Sequence, residues 1–419
     1  MTAMTGRVSK GKLPPVEKLP LSKAERGWDV LSKQELTFVS TRIYGKDRPF
    51  SGYVTVSEGQ IVSMGSGRPA DTGTRIIDVG DNRVIPGLID IHSHGFAGLD
   101  MGSGTAEEVK KIAKALAEAG TTAFNSTCAT APKELFDRFL EITKDLVDEP
   151  VYGARVIGAH LEGPFLNAAR KGAMVEEFII PPDLKLTEEW MDRAEGTINQ
   201  MTIAPEMPGA LDVIRYLASM GVTVSAGHTD ATYEQMLEAF RAGVNLACHT
   251  FNAMRPLNHR EPGVPGAVLT DMGVTCELIG DCMHVHPAVM RMIIELKGPD
   301  RVAVITDASR FAGLAPGVYD DEGRQVTIEP SGLARLPDGT ISGSSATMVK
   351  CLRNLVEIVG VSFEDALRMT ALTPARVAGV QDFKGSLSVG KDADIVVLDD
   401  DYNVVWSLVE GEVQKSPEN

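Results

Sequence analysis

The run Val84-Ile85-Pro86-Gly87-Leu88-Ile89-Asp90-Ile91-His92-Ser93-His94 is apolar almost throughout and ends in two histidines one residue apart. An extended strand presents alternate side chains on opposite faces, so residues i and i+2 point the same way. Both imidazoles therefore reach one spot at the strand end. Two nitrogen ligands facing a cavity are what a catalytic metal needs; the bland alternative is a pair of histidines in a polar loop.

Outward from this run, the middle of the chain alternates strand and helix patterns. A strand at 84–91 precedes a helix near 105–119, and Thr122-Ala123-Phe124-Asn125-Ser126-Thr127 precedes a helix near 132–147. Val156 to Leu161 comes next, then Met201-Thr202-Ile203-Ala204 with a helix near 208–220. Val222 to Ala226 precedes a helix near 231–242, and Asn245-Leu246-Ala247-Cys248 follows. Thr275 to Ile279 precedes a helix near 287–297, and Val302-Ala303-Val304-Ile305 is the last strand. Eight strands with helices between them predict an α/β chain built on a (β/α)8 TIM-type barrel. A doubly wound open sheet is the alternative, but no glycine-rich dinucleotide turn follows the first strand.

Both ends of the chain read differently. Short β-like segments separated by Gly and Asp turns fill 36–85, and Ala393 to Leu398 and Val404 to Val409 have the same character. The expectation is a small β-sandwich domain from 36–85 plus 385–419, with the barrel spanning 86–384. Residues 1–35 are polar, basic and proline-containing, which suggests a flexible arm that docks only on a partner. The turn Asp399-Asp400-Asp401 reads as a solvated hairpin turn and not as a metal site.

Bulk properties narrow the function. The 419 residues, 43% hydrophobic, suffice for one large domain and a small one. A net charge of −16 disfavours nucleic acid and anionic membranes as partners, and leaves any anionic substrate to a few local basic groups. The five cysteines form no C-x-x-C pair, which suits reduced thiols in the cytoplasm. No apolar run matches a membrane span, and the N-terminus lacks a signal-peptide core.

Barrel enzymes place reactive groups just past the C-termini of their strands. His92 and His94, Glu162, His228, His249, His284 and Asp307 all fall at that phase. His249 lies 21 residues after His228, and Asp307 lies 23 after His284, each about one strand–helix unit. Scattered surface histidines would not keep that phase. Imidazole and carboxylate without thiolate suit a divalent ion such as Zn2+ or Fe2+, as one ion or two. Such an ion lowers the pKa of bound water to about 7 and polarises a carbonyl. A carboxylate beside it, with Asp307 the candidate, takes the water's proton and delivers it to a leaving amine. The arrangement reads as metal-assisted hydrolysis of an amide.

Other residues divide more evenly. His160 shares the strand face of Glu162 and could be a ligand or a support behind the ligands. His286 precedes Pro287 and is expected at a cavity wall or a helix start. Cys248 and Cys282 border the site without the paired base that a nucleophile needs, and read as packing. The segment 250–266, with Arg255, His259 and Arg260, could form an anion site, since backbone N–H groups and an arginine fork suit phosphate; a structural loop is the alternative.

Taken together, these segments resemble the N-acetylglucosamine-6-phosphate deacetylases of the amidohydrolase superfamily, over roughly 36–413. The matching stretches are Pro86 to Gly95, His160-Leu161-Glu162-Gly163-Pro164-Phe165, Gly227-His228-Thr229-Asp230-Ala231, His249 to Met254, Arg260-Glu261-Pro262-Gly263, Thr306-Asp307-Ala308 and Ser342-Gly343-Ser344. The C-terminal Gly385-Ser386-Leu387 through Asp394 is typical of the wider superfamily. The resemblance implies a metal held by Glu162, His228 and His249, with His92 and His94 serving a second metal bridged by Glu162. Asp307 would be the proton shuttle and could also bind the second metal, and His284 would polarise the acetamide carbonyl or hold the sugar. Asn252, Ala253 and Arg260 would bind the phosphate of a small-molecule sugar phosphate. Ala173, Met174, Ile341, Ser342 and Gly343 would line the sugar and acetyl pocket. A homodimer with active sites near the subunit interface is also implied.

Three departures from that family surround the sugar pocket. Met174 stands where a histidine is usual, Ser309-Arg310-Phe311 follows Asp307-Ala308 where small residues are usual, and His286 replaces an acidic or small residue. Arg310 could serve an extra acidic group on a related substrate, and N-acetylgalactosamine 6-phosphate is the nearest alternative. Cyclic-amide opening or deamination often uses a carbamylated lysine on strand four, and Met201-Thr202-Ile203-Ala204-Pro205-Glu206 offers none. A non-catalytic scaffold would generally have lost the metal ligands that this chain keeps.

Overall fold

In the computed structural model, which describes residues 35–46, 48–69, 73–321 and 324–417, the run that opens the central region divides at Gly87. Arg83–Pro86 is a strand of one sheet and Leu88–Ser93 a strand of another. The single strand expected over 84–91 is therefore two. Gly87 donates its N–H to Asp394 O at 2.9 Å, and Leu88 donates to Gly120 O at 3.3 Å, so the partner strand changes across one residue. A Cβ at Gly87 would lie 2.0 Å from Thr122 Oγ1, so only glycine fits the crossing.

Leu88–Ser93 begins a ring of eight parallel strands. The others are Thr121–Cys128, Arg155–Glu162, Ile198–Ile203, Thr223–Ala226, Val244–Ala247, Thr275–Ile279 and Val302–Ile305, each paired with the next in order. The ring closes where Ser93 bridges Ala308 and Asp307 donates its N–H to His92 O at 3.0 Å. The first, second, seventh and eighth strands are buried at every position, as parallel strands covered on both faces must be. The outer layer includes the expected helices, observed as Ala106–Glu118, Lys133–Asp148, Ala210–Ser219, Tyr233–Ala242 and Pro287–Lys297. Capping boxes of Thr105 with Glu108 and of Thr232 with Gln235 start two of them, each worth about 1 kcal/mol. Trp190, on the additional helix Leu184–Ala194, is buried against Phe136 and Phe165 and donates to Asp137 Oδ1 at 3.1 Å.

The two chain ends meet in one eight-stranded sheet. Its central strand Arg83–Pro86 pairs antiparallel with Ile395–Leu398 and parallel with Leu36–Tyr44. The hairpin Pro49–Ser57 with Gln60–Ser66 extends one side, Val404–Val409 with Glu412–Lys415 the other, and Arg75–Asp78 pairs parallel with Leu36–Tyr44. Ile61 N–H donating to Lys391 O and Ala393 N–H donating to Gly59 O, each at 2.9 Å, curl the sheet round Phe38, Val54, Val56, Ile395, Trp406 and Leu408. Asp399–Asp401 is a hairpin turn, with Asp400 paired to Arg42 at 2.8 Å. The expected N-terminal arm, Glu35 excepted, lies outside the described residues.

One element was not foreseen. After the eighth strand the chain forms a three-stranded antiparallel sheet, Gly317–Asp321, Arg324–Ile328 and Ala334–Arg335. It packs on its own small core of Phe311, Val326, Ile328 and Ala334, at the barrel mouth where the eighth strand ends. Among the described residues no helix is long and apolar enough to cross a membrane.

Candidate active site

The C-terminal ends of the barrel strands gather the residues singled out by spacing. Glu162 closes the third strand, and its carboxylate is the centre of the group. Its Oε1 lies 3.2 Å from His228 Nε2, 3.0 Å from His249 Nε2 and 3.4 Å from His92 Nε2. Its Oε2 lies 3.2 Å from His94 Nε2. His228 and His249 follow the fifth and sixth strands with their Nε2 atoms 3.1 Å apart. His92 and His94 end the first strand with Nε2 atoms 3.2 Å apart, and Asp307 Oδ1 lies 3.6 and 3.4 Å from them.

The backbone that aims these groups is unusual. His228, His249 and Asp307 have φ values of 46°, 22° and 49°, in or near the left-handed region that non-glycine residues seldom occupy. At the last turn of a strand this conformation swings the side chain into the barrel mouth instead of continuing the alternation. Non-glycine residues held this way cluster at functional sites.

The spacing tests whether a divalent ion fits. Tetrahedral Zn2+ with ligands at about 2.0–2.1 Å holds neighbouring ligand atoms roughly 3.3 Å apart. Glu162, His228 and His249 are mutually spaced 3.0–3.2 Å, and His92, His94 and Asp307 3.2–3.6 Å. Two imidazole nitrogens 3.1 Å apart repel unless a proton or a cation lies between them. Both triads therefore have the dimensions and chemistry of a divalent-ion site, with Glu162 between them.

Charges point the same way. Burial opposes a charge on His92, but Glu162 and Glu277 together hold its imidazole well above the usual histidine range. Burial likewise opposes charge on His94, while Asp307 and Glu162 raise it to about 9. Burial would push Glu162 up, yet His92, His228 and His249 hold it well below the usual carboxylate range. Asp307 is brought down to about 2 against its own burial, by His92 and His94. Ionised carboxylates this deep demand positive partners.

His160 is not among the clustered ligand atoms. Its Nε2 lies 2.9 Å from Thr202 Oγ1, and its ring stands edge-on to His92 at 4.6 Å, behind the cluster. Burial and then the charge on His92 pull its pKa well down. His286 caps the helix Pro287–Lys297, accepting from Ala288 N–H at 3.2 Å. All five cysteines are unpaired, and burial pushes the thiol of Cys282 up to about 11.

Glu277 was missed by the sequence reading. It is completely buried, and its Oε2 lies 3.0 Å from His92 Nδ1 and accepts the His249 N–H at 3.1 Å. Its Oε1 accepts from Gln200 Nε2 at 2.6 Å. Asp281 is a second such residue, with Oδ2 2.6 Å from His284 Nδ1. For Glu277 a carboxylate inside an apolar strand was the available signal, since buried charges must be paired.

The cluster opens into a cavity of about 300 Å³, large enough for a small-molecule ligand. His284, Met174, Asn252, Ala253, Ile341 and Ser342 line it, with Ala173 and Gly343 beside them. Met174 Sδ accepts from Thr130 Oγ1 at 3.5 Å. Arg260 is not brought to this cavity. It lines a neighbouring groove with Arg170, Asp230 and Arg255, because the loop after Met254 runs outward over the surface.

A family model described as "Amidohydrolase family" matches residues 83–416. The N-acetylglucosamine-6-phosphate deacetylase of Bacillus subtilis is 35% identical over 87% of this chain and 92% of its own length. An N-acetylgalactosamine-6-phosphate deacetylase of Escherichia coli is 35% identical over 78% of this chain and 86% of its own. Among solved structures, a mutant N-acetyl-D-glucosamine-6-phosphate deacetylase of Mycobacterium smegmatis, in complex with N-acetyl-D-glucosamine-6-phosphate, superposes with a TM-score of 0.85. It is 33% identical, with 91% of this chain and 100% of that one covered. Strand-end histidines and carboxylates, a closed barrel and likeness over nearly the whole chain converge on one conclusion: the protein belongs to the amidohydrolase family, among its N-acetylglucosamine-6-phosphate deacetylases.

Proposed function

We propose that the protein hydrolyses the acetamide of N-acetylglucosamine 6-phosphate, releasing acetate and glucosamine 6-phosphate. The observation that carries this reading is the pair of ligand triads sharing Glu162 at the floor of a cavity sized for a sugar phosphate. Glu162, His228 and His249 would hold one divalent ion, and His92, His94 and Asp307 a second. An ion such as Zn2+ or Fe2+ supplies Lewis acidity and makes water acidic enough to ionise near neutral pH.

The chain's own residues do the rest. The Asp307 carboxylate takes the proton of the attacking water and returns it to the leaving amine nitrogen. Its ionised state below neutral pH keeps it ready for the first of these transfers. Asp281 engages His284 Nδ1, leaving Nε2 for the acetamide oxygen or a sugar hydroxyl. Asn252 and Ala253 meet the phosphate end, while Ala173, Met174, Ile341, Ser342 and Gly343 enclose the sugar and the acetyl group. Met174 accepts a hydrogen bond and donates none, so it reads the sugar by shape. The likeness to an N-acetylgalactosamine-6-phosphate deacetylase favours that epimer as the second substrate. Five unpaired cysteines suit a reducing, cytoplasmic compartment, and the family resemblance supports a homodimer.

Acetate release from both sugar phosphates, with native, chelator-treated and Zn2+- or Fe2+-reconstituted protein, tests the reading. Metal-dependent release that is faster with the glucosamine epimer is expected. Metal-loaded protein that releases acetate from neither compound would overturn it.

A further inference from the structure

The fourth barrel strand, Ile198–Ile203, contributes no atom to either triad. Glu206 stands just beyond it, and three donors converge on its carboxylate. Its Oε1 accepts the Asp230 N–H at 2.6 Å and Asn167 Nδ2 at 2.9 Å, and its Oε2 accepts from Thr229 Oγ1. All three donors belong to the surroundings of one residue, His228. Thr229 and Asp230 directly follow it, and Asn167 donates its N–H to His228 O at 2.9 Å.

Three consequences follow from where these bonds fall. First, His228 turns at φ 46°, a conformation that a non-glycine residue keeps only when its neighbours over-determine it. Glu206 fixes both residues after that turn. Second, Asn167 Oδ1 accepts the Ala169 N–H at 2.9 Å and so holds the short turn Ala168–Arg170. Arg170 O from that turn lies 3.0 Å from His228 Nδ1. A carbonyl can only accept, so the imidazole proton sits on Nδ1 and the Nε2 lone pair is left for an ion. Third, Thr229 N–H donates to Ala253 O at 3.1 Å and Arg255 N–H donates to Thr229 O at 3.0 Å. Those bonds tie the His228 corner to the loop that follows His249. One side chain from a strand without ligands thus braces the surroundings of both histidines in the triad with Glu162, while Asp307 is held elsewhere, by its N–H to His92 O.

We propose that Glu206 is a positioning residue for metal binding: through Thr229, Asp230 and Asn167 it sets the corner and the tautomer of His228 and so tunes the ion shared by Glu162, His228 and His249. The inference rests on the metal-dependent reading above, and its test needs no substrate.

Zn2+ titrations of metal-free wild type, Glu206→Ala, Glu206→Gln, Thr229→Val and Thr229→Ser, each checked for folding by circular dichroism, decide it. Glu206→Ala is expected to weaken one bound ion about 10- to 100-fold. Thr229→Val, which removes a single hydroxyl, weakens it less. Glu206→Gln keeps one accepting oxygen and Thr229→Ser keeps the hydroxyl, so both lie nearer wild type. Acetate release at limiting Zn2+ falls in step and recovers with excess metal. A contact that serves stability alone would lower the melting temperature and leave the affinity of the folded protein unchanged, and that result overturns the proposal. Should Glu206→Ala not fold, Glu206→Gln and Thr229→Val carry the test, and wild-type affinity in both overturns it. Wild-type protein that binds Zn2+ but releases no acetate ends the deacetylase reading and leaves Glu206 its role; wild-type protein that binds no metal takes both down.

Discussion

Glu277 shows what a single buried carboxylate would do for the proposed metal site. A carboxylate facing His92 Nδ1 at 3.0 Å selects the tautomer with its proton there, which turns the Nε2 lone pair toward Glu162 and Asp307. Glu277→Gln would lower metal affinity and acetate release about 10- to 100-fold with the fold intact. Metal content after dialysis, beside circular dichroism, checks this; full retention of metal and of kcat would show that His92 is oriented by packing instead. His94 carries a further consequence. Without metal it holds its proton up to about pH 9, because Asp307 and Glu162 outweigh its burial. A metal bound as proposed would displace that proton, so affinity would strengthen as pH rises from 6 toward 9, with proton uptake competing at the acid end. Zn2+ titrations of metal-free protein across that range should show the slope. The histidines and Asp307 were legible because strand-end position is a property of sequence phase. Glu277 was not, because its meaning lies in a partner 185 residues away.

Strands and helices carry a different kind of information. The barrel strands could be read because burial on both faces makes them short apolar runs, and the helices because one apolar face recurs at helical spacing. The division of Val84–Ile91 could not, since Gly87 sits in an unbroken apolar run and only the close approach of Thr122 reveals the crossing. Gly87→Ala would put a methyl group into Thr122 at the seam between sheet and barrel, costing about 1–3 kcal/mol. A urea midpoint no lower than that of the wild type would show that Thr122 moves aside freely. The sheet after the eighth strand also escaped, although Tyr319-Asp320-Asp321-Glu322-Gly323-Arg324 has the composition of a hairpin turn. Its flanking strands are too mixed in polarity for alternation to mark them.

Across the whole molecule, a buried ionic group ties the terminal sheet to the barrel. Lys384 Nζ lies 2.8 Å from Asp394, 3.1 Å from Asp392 and 3.3 Å from Glu410, and Glu410 also pairs with Arg155 of the third barrel strand at 2.9 Å. Burial opposes the charge on Lys384, but the three carboxylates outweigh it and raise its pKa. A raised lysine contributes stability that is complete below its unfolded value, about 10.4, and lost only as pH climbs beyond it. Lys384→Met would strand those carboxylates and cost about 3–5 kcal/mol. In denaturant melts the gap to wild type should stay constant from pH 7 to 10 and narrow above. A gap that is already closed at neutral pH would mean that water, and not the lysine, satisfies the carboxylates.

The left-handed backbone at His228, His249 and Asp307 implies a conflict between endurance and catalysis. Glycine tolerates such angles without penalty, whereas any side chain there adds steric cost. His249→Gly should therefore outlast His249→Ala by about 1 kcal/mol in thermal melts, although neither turns over substrate. Redesign that rewards heat tolerance alone would drift toward glycine at these three corners, and would dismantle the enzyme while improving the protein.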